Sequence, residues 1–434
     1  MLLRSIAYKS TALFRAPYAQ CRHWDRHSWI RCYVTESRKK YNVLFFGTDD
    51  FAVTHLKALV TEKGKENSCI NSIDLVCPPD RWTGRKNKIH TPSPTKGLAE
   101  LYSLPVFHTP EAAKTLDDWH IPSEKQYDLG IVVSFGYFIP PRIIQQFKYG
   151  AINVHPSLLP KYRGAAPIQH TILAGDDETG VTVQELHPEK FDAGRILNQK
   201  IVNIREHAPR YRTLKDQLAG VGSRLLVDTL QNLDHCKANA KVQDESQAST
   251  APKIKKEWSI IDWDEMEAWQ VEQLHRAIGD QYPLRTTFTF SRIKRSKKIK
   301  QRHLTMQLLN IYLPKKSPLL TLSPPPEPGT FAYDQATKSL HVCCADLNPI
   351  ALTHIKAEDS GVIDARDFKN GYEIRDNVGQ FGYIAEDQVA PGMSGVRVTK
   401  RREEYNKTIR RRMKMRKAEF EAVFNKTLDS RSMH

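Results

Sequence analysis

Short apolar runs alternate along the first half of the chain with longer stretches whose apolar residues recur at helical spacing. Residues 43–46 (VLFF), 73–77 (IDLVC) and 128–134 (DLGIVVS) read as strands. The last is apolar almost throughout, as a parallel strand covered on both faces should be. Residues 51–60, 96–102 and 214–233 read as helices, and Thr48 or Asp49 stands where a cap belongs before the first of them. In residues 151–155 the apolar Ala151, Ile152 and Val154 form a short buried strand, while Asn153 and His155 leave one face together at its carboxyl end. That end is where open α/β sheets place their chemistry. Residues 181–186 (VTVQEL) alternate cleanly and predict a further strand.

The second half carries a different pattern. Residues 234–256 are polar, rich in Gln, Ser, Ala and Lys, and without periodicity, which predicts an interdomain linker. A helix over 266–278 precedes five β-rich runs at 286–290, 304–313, 330–333, 340–344 and 350–355, together predicting a small barrel. An insert at 317–328 holds five prolines and predicts an extended loop. Beyond residue 396 the chain becomes basic, with Ile409, Met413, Phe420 and Phe424 at helical spacing. The expected partition is a leader at 1–40, an α/β domain at 41–233, the linker at 234–256, a small β domain at 257–390 and a basic helical tail at 396–434.

A chain of 434 residues has room for two or three domains, and 40% hydrophobic with 26% charged residues is ordinary for a soluble protein. The richest apolar run, residues 131–139, is broken by Gly136 and stopped by Pro140, far short of the roughly 20 residues of a membrane span, so no membrane insertion is expected. Seven scattered cysteines without a Cys-x-x-Cys pair indicate neither a disulfide framework nor a zinc site, and no metal is expected. The net charge of +16 sits at the two ends: residues 1–40 carry nine Lys/Arg against two acids, residues 397–418 eleven against two, and the remainder sums to zero. The first end is rich in Arg and Ser, and Leu2, Leu3, Ile6, Leu13 and Phe14 offer one apolar helical face. It resembles a mitochondrial presequence, with Arg31-Cys32-Tyr33 similar to a processing site, and predicts delivery to the mitochondrial matrix. A basic RNA-binding arm is the other reading of this end.

The candidate chemistry gathers around residues 150–169. The turn Ser157-Leu158-Leu159-Pro160 is stiffened by Pro156 and Pro160 and given room by Gly164, which suits a wall held against a ligand. Phe191-Asp192-Ala193-Gly194 follows, with a carboxylate able to orient an imidazole. Asn153 as donor to a developing oxyanion, His155 as proton carrier and Asp192 as its partner make a parts list for acyl or formyl transfer without a covalent intermediate. Taken alone, the Asn-x-His pair also suits a strand end with no chemistry. The opening turn Gly47-Thr48-Asp49-Asp50 has a single glycine, where a dinucleotide fingerprint requires three, so NAD binding is not expected.

The segment Asn153-Val-His155-Pro-Ser-Leu-Leu-Pro160 closely resembles the signature of the 10-formyltetrahydrofolate-dependent formyltransferases. Its continuation Arg163-Gly-Ala-Ala-Pro-Ile-Gln169 is similar to the branch that formylates methionyl-tRNA. The resemblance implies a Rossmann-like formyltransferase domain, an OB-like β-barrel that holds nucleic acid, and transfer of a formyl group from 10-formyltetrahydrofolate to the α-amino group of methionine on initiator tRNA. It places the catalytic trio on Asn153, His155 and Asp192. Phe135, Gly136, Tyr137, Phe138 and the Ser157, Leu158, Leu159 and Pro160 turn would hold the folate. Arg81, Arg85, Lys86 and Lys88 of a long cationic loop, with Arg163, would contact tRNA. The basic tail is not part of the resemblance; its charge predicts a grip on the tRNA backbone or on the mitochondrial ribosome by phosphate neutralisation, or a solvated helix. Three departures stand out: Asp49 replaces a proline of Gly-Thr-Pro-x-Phe, Lys190 occupies a position that tends to be glycine, and His187 has no counterpart. A different amine acceptor, or an RNA-binding protein with a vestigial formyltransferase domain, are the alternatives.

Overall fold

The computed structural model describes residues 39–84, 88–111, 115–122, 125–205, 208–293, 299–358, 360–372 and 374–382. Residues 1–38, which hold most of the expected presequence and its expected processing site, Arg85, Lys86 and the 396–434 tail lie outside them.

The α/β half is built on one sheet. Its strands are β1 (Tyr41–Gly47), β2 (Ile70–Cys77), β5 (Val106–His108), β6 (Leu129–Val133), β7 (Ala151–His155), β8 (Glu178–Glu185) and β9 (Ile196–Asn203). A two-stranded ribbon, β3 (Arg81–Thr83) and β4 (Ile89–Thr91), stands apart from it. The order across the sheet is β5-β2-β1-β6-β7-β8-β9, parallel through β7 and antiparallel beyond. In β1, Val43 and Phe45 face one side and Leu44 and Phe46 the other, all four fully buried, so alternate residues feed two separate cores. The first core is covered by α1 (Asp50–Lys63) and α5 (Tyr211–Gln231), which pack on each other. α2 (Pro94–Leu101), α3 (Pro141–Ile144), α4 (Pro167–Ala174) and α6 (Leu233–Ala238) complete this half. Asp49 is the cap of α1, its carboxylate accepting from the Ala52 amide at 3.1 Å.

Strand order reverses between β1 and β6. Their carboxyl ends at Gly47 and Val133 therefore open a crevice, and β7 delivers its own end beside it.

The second half opens with α7 (Ala268–Ile278), whose start is closed by a capping box of Glu267 and Gln270. The expected runs appear as β10 (Leu284–Ile293), β11 (Ile299–Tyr312), β12 (Thr330–Asp334), β13 (Ser339–Cys343) and β14 (Pro349–Ala357), followed by β15 (Val362–Asp364), α8 (Ala365–Gly371) and β16 (Val378–Gly382). β11 pairs with β14, and β16 bridges β10 and β12, which closes a six-stranded barrel. Phe288, Phe331, Phe368 and Phe381 fill it, Phe288 meeting Phe368 and Phe381 edge to face while Phe331 packs tilted against the other three. The proline-rich insert is not wholly extended. Residues Pro318–Thr321 form a 3-10 turn capped by Ser317, because Leu319 buries itself against Ala332 and Cys343.

The two halves share one hydrophobic core. Gln273 of α7 donates to the Ile172 carbonyl at 2.7 Å, Arg276 donates to that of Pro209, and Arg210 donates to Nε2 of His275 at 3.1 Å. Burial and the Arg210 cation push His275 down to about 4. The connecting residues 239–256 lie along the α/β half: Ala251 and Ile254 are buried, and the chain at 249–251 pairs with the turn at 160–166. Its polar composition supplies hydrogen bonds to that turn. Among the described residues no helix is long and apolar enough to cross a membrane.

Candidate active site

Antiparallel pairing of β7 with β8 sets Asn153 opposite Gln184 and His155 opposite Thr182. All four side chains therefore stand on one face of the sheet, at its carboxyl edge. Behind them, Val154, Val181 and Val183 lie in the core. The Asp192 carboxylate reaches this row from the turn after β8. Its Oδ1 accepts from Nδ2 of Asn153 and from Nε2 of Gln184, both at 3.2 Å, and lies 3.5 Å from Nδ1 of His155. Its Oδ2 accepts from the Gly164 amide at 2.9 Å. The trio expected from the sequence is thus brought together.

His155 is 5% exposed, and its Nε2 donates to the Tyr162 carbonyl at 2.9 Å. A carbonyl oxygen only accepts, so Nε2 carries a hydrogen in every protonation state of this arrangement. Nδ1 faces the Asp192 carboxylate.

The loop carrying Asp192 is held in an unusual shape. Asp192 itself is left-handed, with φ of 54°, and Gly194 leaves no room for a side chain, since a Cβ there would sit 1.7 Å from the Glu185 carbonyl oxygen. His187, the imidazole without a counterpart, accepts at Nδ1 from the amides of Glu189 and Lys190 at 3.1 and 3.2 Å. It closes the turn in which Lys190 stands in place of glycine.

The expected folate wall is placed as follows. Phe135 and Tyr137 are half-buried with rings 5.0 Å apart, and Phe138 meets Phe191 at 5.4 Å, next to Asp192. Phe191 is 63% exposed, and a Cβ added at Gly136 would touch nothing within 4 Å. An apolar, partly open rim therefore adjoins the polar row, and its aromatic faces fit a flat heterocycle. In the Ser157–Pro160 turn, Ser157 is fully buried with its hydroxyl donating to the Lys161 carbonyl, Leu159 is buried, and Leu158 packs over Gly180. Thr182 accepts from the Leu159 amide and donates to the Ser157 carbonyl, so only Leu158 and Pro160 keep partial exposure.

Of the expected tRNA contacts, Arg81 and Lys88 are exposed on the β3–β4 ribbon beside Trp82, which is 62% exposed and packs on His90. Arg163 is elsewhere. Its guanidinium donates through Nε and Nη2 to Oε1 of Gln243 and forms a fork with Glu245 at 2.9 Å. Gln184, Thr182 and Gln243 are site residues that the sequence reading missed. The alternation in 181–186 marks Thr182 and Gln184 as facing away from Val181 and Val183; Gln243 leaves no such mark. Among the described residues no cluster of His, Cys, Asp and Glu suits a metal ion.

Two regions of the chain match known families: residues 39–230 match Formyl transferase, and residues 253–373 match Formyl transferase, C-terminal domain. Mitochondrial methionyl-tRNA formyltransferase of Homo sapiens is 34% identical over 371 residues, covering 82% of this chain and 84% of its own. The protein of the same name from Rattus norvegicus is 33% identical over 338 residues, covering 76% and 78%. A crystal structure of HypX from Aquifex aeolicus in complex with tetrahydrofolic acid superposes with a TM-score of 0.47 at 16% identity, over 78% of this chain and 48% of that one.

Proposed function

The chain belongs to the formyl transferase family, among the methionyl-tRNA formyltransferases, and from that premise we propose how its residues carry the transfer. It is an enzyme that moves a formyl group to the α-amino group of methionine on initiator methionyl-tRNA, for mitochondrial translation. The donor in this reading is 10-formyltetrahydrofolate, which supplies an electrophilic one-carbon unit on a nitrogen leaving group. The rim of Phe135, Gly136, Tyr137 and Phe138, with Leu158 and Pro160, would hold its flat ring.

The observation that carries the mechanism is the convergence of Asn153, His155 and Gln184 on the Asp192 carboxylate. Nδ2 of Asn153 has two hydrogens; one points at Asp192, and the second is left to donate to the formyl oxygen as charge builds there. Nδ1 of His155 takes up the proton that the attacking amine must lose, with Asp192 alongside to balance the charge formed, and returns it to the folate nitrogen as that nitrogen's bond to the formyl carbon breaks. Asp192 also draws Gly164 inward, which keeps the 156–164 turn closed over the row. No covalent bond to the enzyme is required.

Arg81 and Lys88, with Arg85 and Lys86, neutralise phosphates near the acceptor end of the tRNA, and the barrel supports the rest of it. Residues 1–40 direct the chain to the mitochondrial matrix, and the 396–434 tail adds grip on the tRNA backbone or on the ribosome. The test is formylation of methionyl-tRNA by the full chain with 10-formyltetrahydrofolate, beside glycinamide ribonucleotide and an amino sugar as rival acceptors. Product only on methionyl-tRNA, abolished in His155→Ala, is expected. Product on a rival acceptor, or an unimpaired variant, would refute the assignment.

A further inference from the structure

We propose that Gln243, in the segment that joins the two domains, is a positioning residue for formyl transfer, acting through Asp192. This inference rests on the reading just given. The segment lies between the two regions that match known families, residues 39–230 and 253–373, and its composition alone describes a tether. Its contacts describe a part of the active centre.

Gln243 is 6% exposed. Its Nε2 faces three acceptors: the Asp192 carbonyl at 2.9 Å, the Gly194 carbonyl at 2.8 Å and Oε1 of Gln184 at 3.0 Å. The other end of the amide, Oε1, takes Nε and Nη2 of Arg163 at 3.0 and 2.8 Å. A guanidinium has only donors, so Arg163 fixes which end of the amide faces Asp192. The grip matters because Asp192 is left-handed, a conformation that a non-glycine residue adopts only where its surroundings enforce it. Gln243 holds the carbonyl of that residue and the carbonyl two residues on. Through Gln184 it also orients the amide that donates to the carboxylate itself.

The same segment holds the opposite wall. Ser249 accepts at its hydroxyl from the Tyr162 amide and at its carbonyl from the Arg163 amide, and Ala251 donates to Arg163 and accepts from Ala166. Between those anchors lie the Tyr162 carbonyl, which receives His155, and the Gly164 amide, which meets Asp192. Gly164 admits no side chain because a Cβ would lie 2.8 Å from the Ala251 carbonyl oxygen. Residues 243–251 thereby set both partners of the catalytic pair from the far side.

Gln243→Glu separates this role from simple packing. It keeps an oxygen toward Arg163 and replaces the donor toward Asp192 and Gly194 with an acceptor. In the full chain, kcat should fall about tenfold to a hundredfold, the scale of a displacement of about 1 Å at a catalytic group. KM for methionyl-tRNA and for 10-formyltetrahydrofolate should stay within about twofold of the parent, as expected when substrate binding is intact. If that variant does not fold, Arg163→Lys carries the test: it retains a cation for nucleic acid and loses the fork, and kcat should fall with KM for methionyl-tRNA unchanged. Parental kcat in either folded variant would overturn the proposal, as would an effect confined to KM for methionyl-tRNA. An inactive parent would instead remove the formyl-transfer reading and this inference with it; an active parent with full-rate variants removes the inference alone.

Discussion

The polar row at the end of β7 and the ribbon formed by β3 and β4 are both candidate substrate contacts, yet they are built in opposite ways. In the row, each polar group is held by another: Asp192 receives Asn153, Gln184 and Gly164, and His155 is pinned through Nε2 to Tyr162. On the ribbon, Arg81, Trp82 and Lys88 project into solvent. A pre-held group need not reorganise as charge develops, which favours rate. An exposed cation meets a phosphate with little geometric demand, which favours affinity and brings dependence on salt. Under the proposed function, the first region governs kcat and the second governs tRNA affinity.

The sharpest way to break that division is Asn153→Ala. Loss of one oxyanion donor lowers kcat on the order of 100- to 1000-fold, and steady-state formylation kinetics should show it without a matching rise in KM. Gly194→Ala attacks the same region through the backbone. With 1.7 Å between the added Cβ and the Glu185 carbonyl oxygen, the loop must shift, and activity should fall by at least as much as in Asp192→Ala; near-parental turnover would show that the loop's shape is dispensable.

Acid should weaken the scaffold beneath both regions. His55, fully buried with Nδ1 donating to the Phe51 carbonyl, and His275, buried beside Arg210, are each pushed down to about 4, chiefly by burial. Between the ordinary 6.5 and 4 the unfolded chain binds protons that the folded chain refuses. The contribution is therefore complete above pH 6.5 and drains away as pH falls towards 4, at most about 3 kcal/mol for each histidine. Thermal melts across this range should show the decline, and His275→Gln should flatten it. The smallest effect belongs to the ribbon. Arg81→Ala and Lys88→Ala should each weaken methionyl-tRNA binding severalfold and reduce the slope of log affinity against log salt by about 1, leaving kcat at saturation alone.

How much of this was readable in advance differs between the same two regions. Asn153, His155 and Asp192 announce themselves by residue type at a strand end and by a long signature. The β8 alternation marks Thr182 and Gln184 as polar on one face, but only the register of β7 against β8 puts that face beside the histidine. Gln243 was invisible, because its partners lie 49 to 80 residues away in an aperiodic segment. β16 escaped for a related reason: Val378–Gly382 has two glycines and no pattern of its own, and it becomes a strand because β10 and β12 each leave an edge for it. The cations of the ribbon were evident from composition, since charge in a long loop needs no register to be seen.

The division itself is tested most directly by the single-turnover rate of formyl transfer at saturating methionyl-tRNA, compared between Asp192→Ala and the Arg81→Ala, Lys88→Ala double variant. The account predicts a rate lowered by about a hundredfold or more in the first and parental in the second. A ribbon variant that is slow at saturation, or an Asp192 variant that is not, would contradict it.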